Sequence, residues 1–205
     1  MPEHGTGVLS YLALGDSYSI GEGVAVDGRW PVQLAARLRD EGVAIGEPTI
    51  IATTGWTTDE LSAAMDVAIF APPYDLVSLL IGVNNQYRGR DAENYRDEFR
   101  LLLGRAIALA GQRASHVVVL SIPDWGVTPF AADSDRDVAR IAMELDVYNA
   151  MAREEVGHRG AHWVDITGIS RQHPDLLAED GLHPSAEQYT LWTEAALPAA
   201  RAILL

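Results

Sequence analysis

Five short apolar runs punctuate the chain, at 8–15 (VLSYLALG), 48–53 (PTIIAT), 74–82 (YDLVSLLIG), 116–123 (HVVVLSIP) and 162–167 (HWVDIT). Their length and their wealth of valine, isoleucine and leucine predict strands buried on both faces. Between them the apolar positions change to helical spacing. The segment 31–42 opens on Pro31, tolerated in a first turn, and stops at Gly42, suited to a C-terminal cap. Thr57 and Glu60 form a capping box ahead of a helix carrying Leu61, Ala64 and Met65. Tyr95, Phe99, Leu102, Ala106 and Leu109 recur every three or four residues in a helix over 92–113, as do Val138, Ile141, Leu145, Tyr148 and Ala152 over 135–156. A last helix starts near Ala186, boxed by Ser185 and Gln188, and Pro198 predicts a bend or break in it.

Strand and helix alternate five times with no repeat, low-complexity tract or linker, which predicts one α/β domain over residues 1–205. The pattern implies a parallel sheet with helices on both faces and right-handed crossovers. Ligands of such folds bind beyond the carboxyl ends of the strands. A candidate functional residue should therefore sit just after a strand.

Composition narrows the chemistry. All 15 basic residues are arginine and there is no cysteine, so Schiff bases, a Walker lysine, a Ser–Lys dyad, thiol catalysis, disulfides and thiolate metal sites are excluded. Against 29 acidic residues the net charge is −14, which argues against nucleic acid and against stable association with anionic membranes. The N-terminus lacks a basic region before its apolar run, and no stretch approaches the ~18 apolar residues of a membrane span. As given, the chain reads as cytoplasmic, although one trimmed of a signal peptide would read the same. Oligomeric state is not legible.

Four of the five strands deliver chemistry to one rim. The first ends at Asp16 and Ser17, the second at Gly55, the third at Gly82, Asn84 and Asn85, and the fifth is followed by Asp180 and His183. Each alone is a common turn or loop residue. Together they close a catalytic scheme. A serine hydroxyl needs a general base, and that base needs an acceptor on its other ring nitrogen to hold the tautomer. Ser17, His183 and Asp180 supply these three roles. The backbone N–H groups of Ser17 and Gly55 and the Asn84 amide can receive the oxyanion. Trp56, Tyr87, Trp125 and Phe130 lie beside these loops as candidate substrate contacts, and the segment 124–137 (DWGVTPFAADSDRD) as a lid or pocket wall.

In Gly15-Asp16-Ser17, Gly55, Gly82-x-Asn84 and Asp180-x-x-His183 the sequence resembles the SGNH hydrolases, the GDSL family of esterases and lipases, over nearly its whole length. The resemblance implies a three-layer α/β/α, flavodoxin-like fold with a five-stranded parallel sheet. It also implies the same roles for Ser17, Asp180, His183, Gly55 and Asn84. Two positions depart from the family pattern: Tyr18 follows the serine where leucine is frequent, and Asn85 stands where aspartate is usual.

The expected activity is hydrolysis of a small-molecule carboxylic ester, small or short-acyl, through an acyl-enzyme on Ser17, with no metal or organic cofactor. A lysophospholipase, thioesterase or carbohydrate deacetylase fits the same residues. A non-catalytic flavodoxin-like binding module is the alternative of another class, but it would leave Asp180 and His183 without a role. A metal site drawn from His158, His162, His173 and His183 is disfavoured, because Gly160 separates the first two just ahead of a strand.

Overall fold

The computed structural model describes residues 7–205. Residues 1–6, part of the N-terminal stretch read above for a leader, lie outside them. In chain order the elements are β1 (Tyr11–Gly15), α1 (Ser17–Ile20), α2 (Trp30–Asp40), β2 (Thr49–Ala52), α3 (Thr58–Val67), β3 (Leu76–Leu80), α4 (Val83–Tyr87), α5 (Ala92–Leu109), β4 (Val117–Leu120), α6 (Pro129–Ala132), α7 (Val138–Arg159), β5 (His162–Val164), α8 (Thr167–Gln172) and α9 (Ala186–Leu204).

The five strands form one all-parallel sheet, as the sequence predicts, and lie in the order β2-β1-β3-β4-β5. α2 packs along α9, which covers β3, β4 and β5, while α3, α5 and α7 pack side by side on the other layer. Buried apolar residues fill the space between layers. Leu12, Leu14, Leu76 and Leu79 of the sheet meet Trp30, Leu34, Phe99, Leu103 and Trp192 of the helices. Each such side chain contributes about 1.5–3 kcal/mol when fully buried.

In this strand order the chain leaves β1 toward one edge and β3 toward the other, so a crevice opens between the loops that follow them. Register then levels the rim. Gly15 stands opposite both Ala52 and Leu80, so the segments after β1, β2 and β3 emerge side by side. Those segments carry Ser17, Gly55 and Asn84.

Several details depart from expectation. The edge strands β2 and β5 are only partly buried, because an edge strand meets the helical layers over part of its length. β1 begins at Tyr11, with Leu9 making only an isolated bridge to Ile45. α9 runs through Pro198 without a break. Proline removes one N–H bond to the carbonyl four residues back. That carbonyl belongs to exposed Glu194, where water can reach it, while Trp192, Ala196, Leu197 and Ala200 anchor the helix in the core. The Ser185 box is half formed. Ser185 Oγ accepts the Gln188 N–H at 3.4 Å, but the Gln188 side chain turns away to donate to the carbonyls of His173 and Leu176.

Candidate active site

The loop after β1 presents Ser17 at the first position of α1. Asp16 caps that helix, its Oδ1 accepting the Tyr18 N–H at 3.1 Å. The Asp16 side chain is fully buried and its Oδ2 has no partner among the described residues. Burial therefore raises its pKa to about 7, in spite of the hydrogen bond from Tyr18. Tyr18, at the position where leucine is frequent, sets its ring edge-on to His183 with centroids 5.8 Å apart. The substitution supplies a packing surface for the imidazole.

His183 comes from a tight hairpin. Ser185 N–H donates to Leu176 O and Ala178 N–H to His183 O, with Leu177 bridged antiparallel to Pro184. At its tip Asp180 Oδ1 accepts the N–H groups of Leu182 and His183, both at 2.9 Å, while Oδ2 lies 2.6 Å from His183 Nδ1. A carboxylate can only accept, so Nδ1 carries the proton, and in the neutral ring the lone pair is on Nε2. Partial burial opposes ionisation of Asp180, but these hydrogen bonds outweigh it and hold the carboxyl below its usual range.

The chain after β2 forms a β-turn over Thr53–Trp56, closed by Trp56 N–H on Thr53 O at 3.3 Å. Gly55 occupies its third position with φ +87°, which glycine adopts without strain and which defines a type II turn. Its N–H makes no hydrogen bond among the described residues. From α4, Asn84 Nδ2 donates to Trp56 O at 2.9 Å, which fixes the amide and leaves its second proton free. Gly82, which precedes α4, has φ +131°, and a Cβ there would lie 2.5 Å from the Tyr95 ring.

Asn85 is fully buried and ties the third rim segment to the second. Its Oδ1 accepts the Thr58 N–H at 3.0 Å and its Nδ2 donates to Thr58 Oγ1 at 2.6 Å; that hydroxyl in turn donates to Glu98. The amide thus supplies an acceptor and a donor, where a carboxylate would supply only acceptors.

Ser17, Gly55, Asn84 and His183 line one cavity of about 230 Å³, together with Tyr87, Trp125 and Phe130. Among the described residues no hydrogen bond joins Ser17 to His183. Trp125 packs edge-on against Tyr87 and Phe130, at centroid distances of 5.3 and 6.2 Å. Trp56 is the exception to the expected aromatic lining. Its ring packs against the core, and the residue acts on the rim through its carbonyl. The segment 124–137 is a wall held from both sides: Phe130 N–H bonds Gly181 O at 3.2 Å, and Asp124 pairs with Arg171 at 2.8 Å.

Sequence reasoning missed Gln86, which accepts the Trp125 indole N–H and donates to Glu144, both at 2.8 Å. It also missed Arg88, whose guanidinium donates to Gly55 O at 2.7 Å. The spacing of Asn84 and Arg88, four residues apart and so on one helical face, is the signal that could have drawn attention to Arg88. The histidines weighed for a metal are scattered. His158 lies by Glu154, His162 against Ser115 O and His173 at the end of α8. Among the described residues no group of three or more His, Cys, Asp or Glu side chains is placed to hold a metal ion.

The parallel sheet thus gathers at its switch point a serine, an Asp–His pair and N–H donors that have no partner among the described residues. The chain is matched over residues 13–191 by the model of the GDSL-like lipase/acylhydrolase family, and it belongs to that family of carboxylic ester hydrolases, the SGNH hydrolases. Solved structures with the same fold include TesA, with 18% identity, a TM-score of 0.73 and coverage of 95% of this chain and 99% of that one. The psychrotrophic esterase EstA of Pseudoalteromonas sp., described as inhibited by monoethylphosphonate, has 17% identity and a TM-score of 0.70, covering 94% and 97%. Axe2, an acetylxylan esterase from Geobacillus stearothermophilus, has 18% identity and a TM-score of 0.72, covering 94% and 95%. At these identities the likeness is one of fold. No curated protein sequence matches the chain.

Proposed function

We propose that the protein is a serine esterase of small or short-acyl carboxylic esters, with Ser17 as nucleophile, His183 as base and Asp180 as its orienting partner. One observation carries this reading. Ser17 and a histidine fixed in its Nδ1–H tautomer line the same cavity as Gly55, whose N–H has no partner among the described residues, and Asn84, whose amide keeps a second proton beyond the one given to Trp56 O. Ser17 Oγ attacks the ester carbonyl carbon as His183 Nε2 takes the hydroxyl proton. The carbonyl π electrons move onto oxygen, and the oxyanion is received by the N–H groups of Ser17 and Gly55 and the Asn84 amide. As the tetrahedral intermediate collapses, the C–O bond to the alcohol breaks and His183 returns the proton to the leaving oxygen. Water, deprotonated by the same imidazole, attacks the acyl carbon; the C–O bond to Ser17 Oγ breaks, His183 returns the proton to that oxygen, and the acid leaves. The scheme requires no metal or organic cofactor.

The short-acyl preference is drawn from cavity size. At about 230 Å³ the chamber is smaller than the roughly 300–1,000 Å³ of pockets that take drug-sized ligands. The groove beyond Tyr87, about 540 Å³, carries Arg88, Arg136, Arg140 and Glu144 in its lining beside Ile141. A long acyl chain would meet charge there. Acetyl transfer to water, the reaction named for Axe2, lies within the size limit, and a thioester would use the same residues.

The test is covalent labelling. A fluorophosphonate probe should modify the wild type at Ser17, with intact mass rising by one adduct, and should leave Ser17→Ala unmodified. Equal labelling of both proteins would refute Ser17 as the nucleophile.

A further inference from the structure

We infer that Arg88 is a positioning residue that holds the oxyanion turn in place. The Gly55 N–H belongs to the central peptide of the Thr53–Trp56 turn, and the next peptide carries the Gly55 carbonyl. Glycine tolerates either sign of φ, so residue 55 does not itself fix the angle between these two peptides. A shift of the second peptide would move Gly55 and re-aim its N–H away from the cavity.

The structure holds the turn from each side. Thr54 Oγ1 is bonded to Glu22 of the loop after α1. Asn84 donates to Trp56 O at 2.9 Å, and Arg88, one helical turn further on, donates through Nη2 to Gly55 O at 2.7 Å. The other arm of the guanidinium, Nη1, reaches the Glu60 carboxylate at 3.2 and 3.3 Å. Glu60 is itself fixed to the same stretch of chain, since its Oε2 accepts the Thr57 N–H at 2.9 Å. The fork therefore ties the Gly55–Trp56 peptide, the one that follows the donor N–H, to the start of α3. A planar guanidinium can bridge a carbonyl and a carboxylate at once; a lysine ammonium reaches as a single point. Arg88 touches neither the substrate nor Ser17 in this account and acts through Gly55.

The inference rests on the esterase reading for its effect on rate but not for its effect on structure, and the test separates the two. In 13C,15N-labelled Arg88→Ala the Gly55 carbonyl carbon should move upfield on losing a charged donor, a readout independent of any substrate. With p-nitrophenyl acetate kcat should fall roughly 10- to 100-fold and KM stay within about twofold, as expected when one donor is misplaced. Asn84→Ala, which deletes a donor outright, should lose roughly 10²- to 10³-fold. Arg88→Lys should recover part of the loss. An unmoved Gly55 carbonyl, or kcat within twofold of wild type in Arg88→Ala, would overturn the inference. Absence of hydrolysis by the wild type would instead strike the esterase reading and leave the carbonyl shift to decide the clamp.

Discussion

Asn85 stands where the family usually has aspartate, and the reason is the hydroxyl beneath it. Thr58 Oγ1 donates to Glu98, so it has only lone pairs to offer residue 85, and an amide N–H can use them. A neighbouring residue of the same loop system carries the opposite tension. Asp16 is buried with one oxygen unpartnered, and its pKa rises to about 7 against an unfolded value of about 3.9. A raised carboxyl favours the folded state at low pH, and that contribution is lost as pH climbs through the folded pKa. Asp16→Asn, which keeps a capping oxygen without charge, should therefore gain thermal stability relative to wild type as pH rises from about 4 to 7. A stability difference constant across that range, measured by differential scanning fluorimetry, would contradict the assignment. At this scale Ser17, Gly55 and Asn84 were legible because each falls just after a strand, whereas Asp180 and His183 lie beyond α8 on the 176–185 hairpin and were legible through their close spacing in sequence. Gln86 and Arg88 were not, because their partners are an indole and a carbonyl from loops brought together only by folding.

The elements were legible where periodicity was long and the termini chemically marked. The Thr57–Glu60 box opens α3, and α5 and α7 carry the predicted apolar stripes except at Leu109, which is half-buried, and Val138, which is exposed. The reading failed where the environment decided the outcome, at the half-exposed edge strands β2 and β5 and at Pro198, which solvent and packing accommodate. An ion cluster between α5 and α7 was equally invisible. Glu155, with only 6% of its side chain exposed, accepts from Arg100 at 2.9 Å and from Arg96 at 2.7 Å. The bonds from Arg100, and after them Arg96, outweigh burial and lower its pKa to about 2. A depressed carboxylate stabilises the fold above its unfolded pKa of about 4.3 and stops doing so as pH falls toward 2. Glu155→Gln should cost about 1–3 kcal/mol at pH 7, with the gap to wild type narrowing as pH is lowered from about 5 toward 3. Urea denaturation at both ends of that range checks it, and equal stabilities at pH 7 would refute the role given to the pair.

For the whole molecule, the strand order and the register decide where chemistry is possible. Opposite departures from β1 and β3 open the crevice, and level strand ends place Ser17, Gly55 and Asn84 around it, with the 176–185 hairpin bringing His183 across. The architecture followed from alternation alone, but the size of the cavity did not, since it depends on how Trp125, Tyr87 and Phe130 pack in three dimensions. Size is also what turns a family of ester hydrolases into a preference for one acyl length. The most direct test of the account is hydrolysis of p-nitrophenyl esters from acetate to palmitate, at fixed pH, by wild type and Ser17→Ala. The account predicts a rate that peaks at short acyl length and vanishes in the variant. Turnover by Ser17→Ala equal to that of wild type would contradict it at its centre.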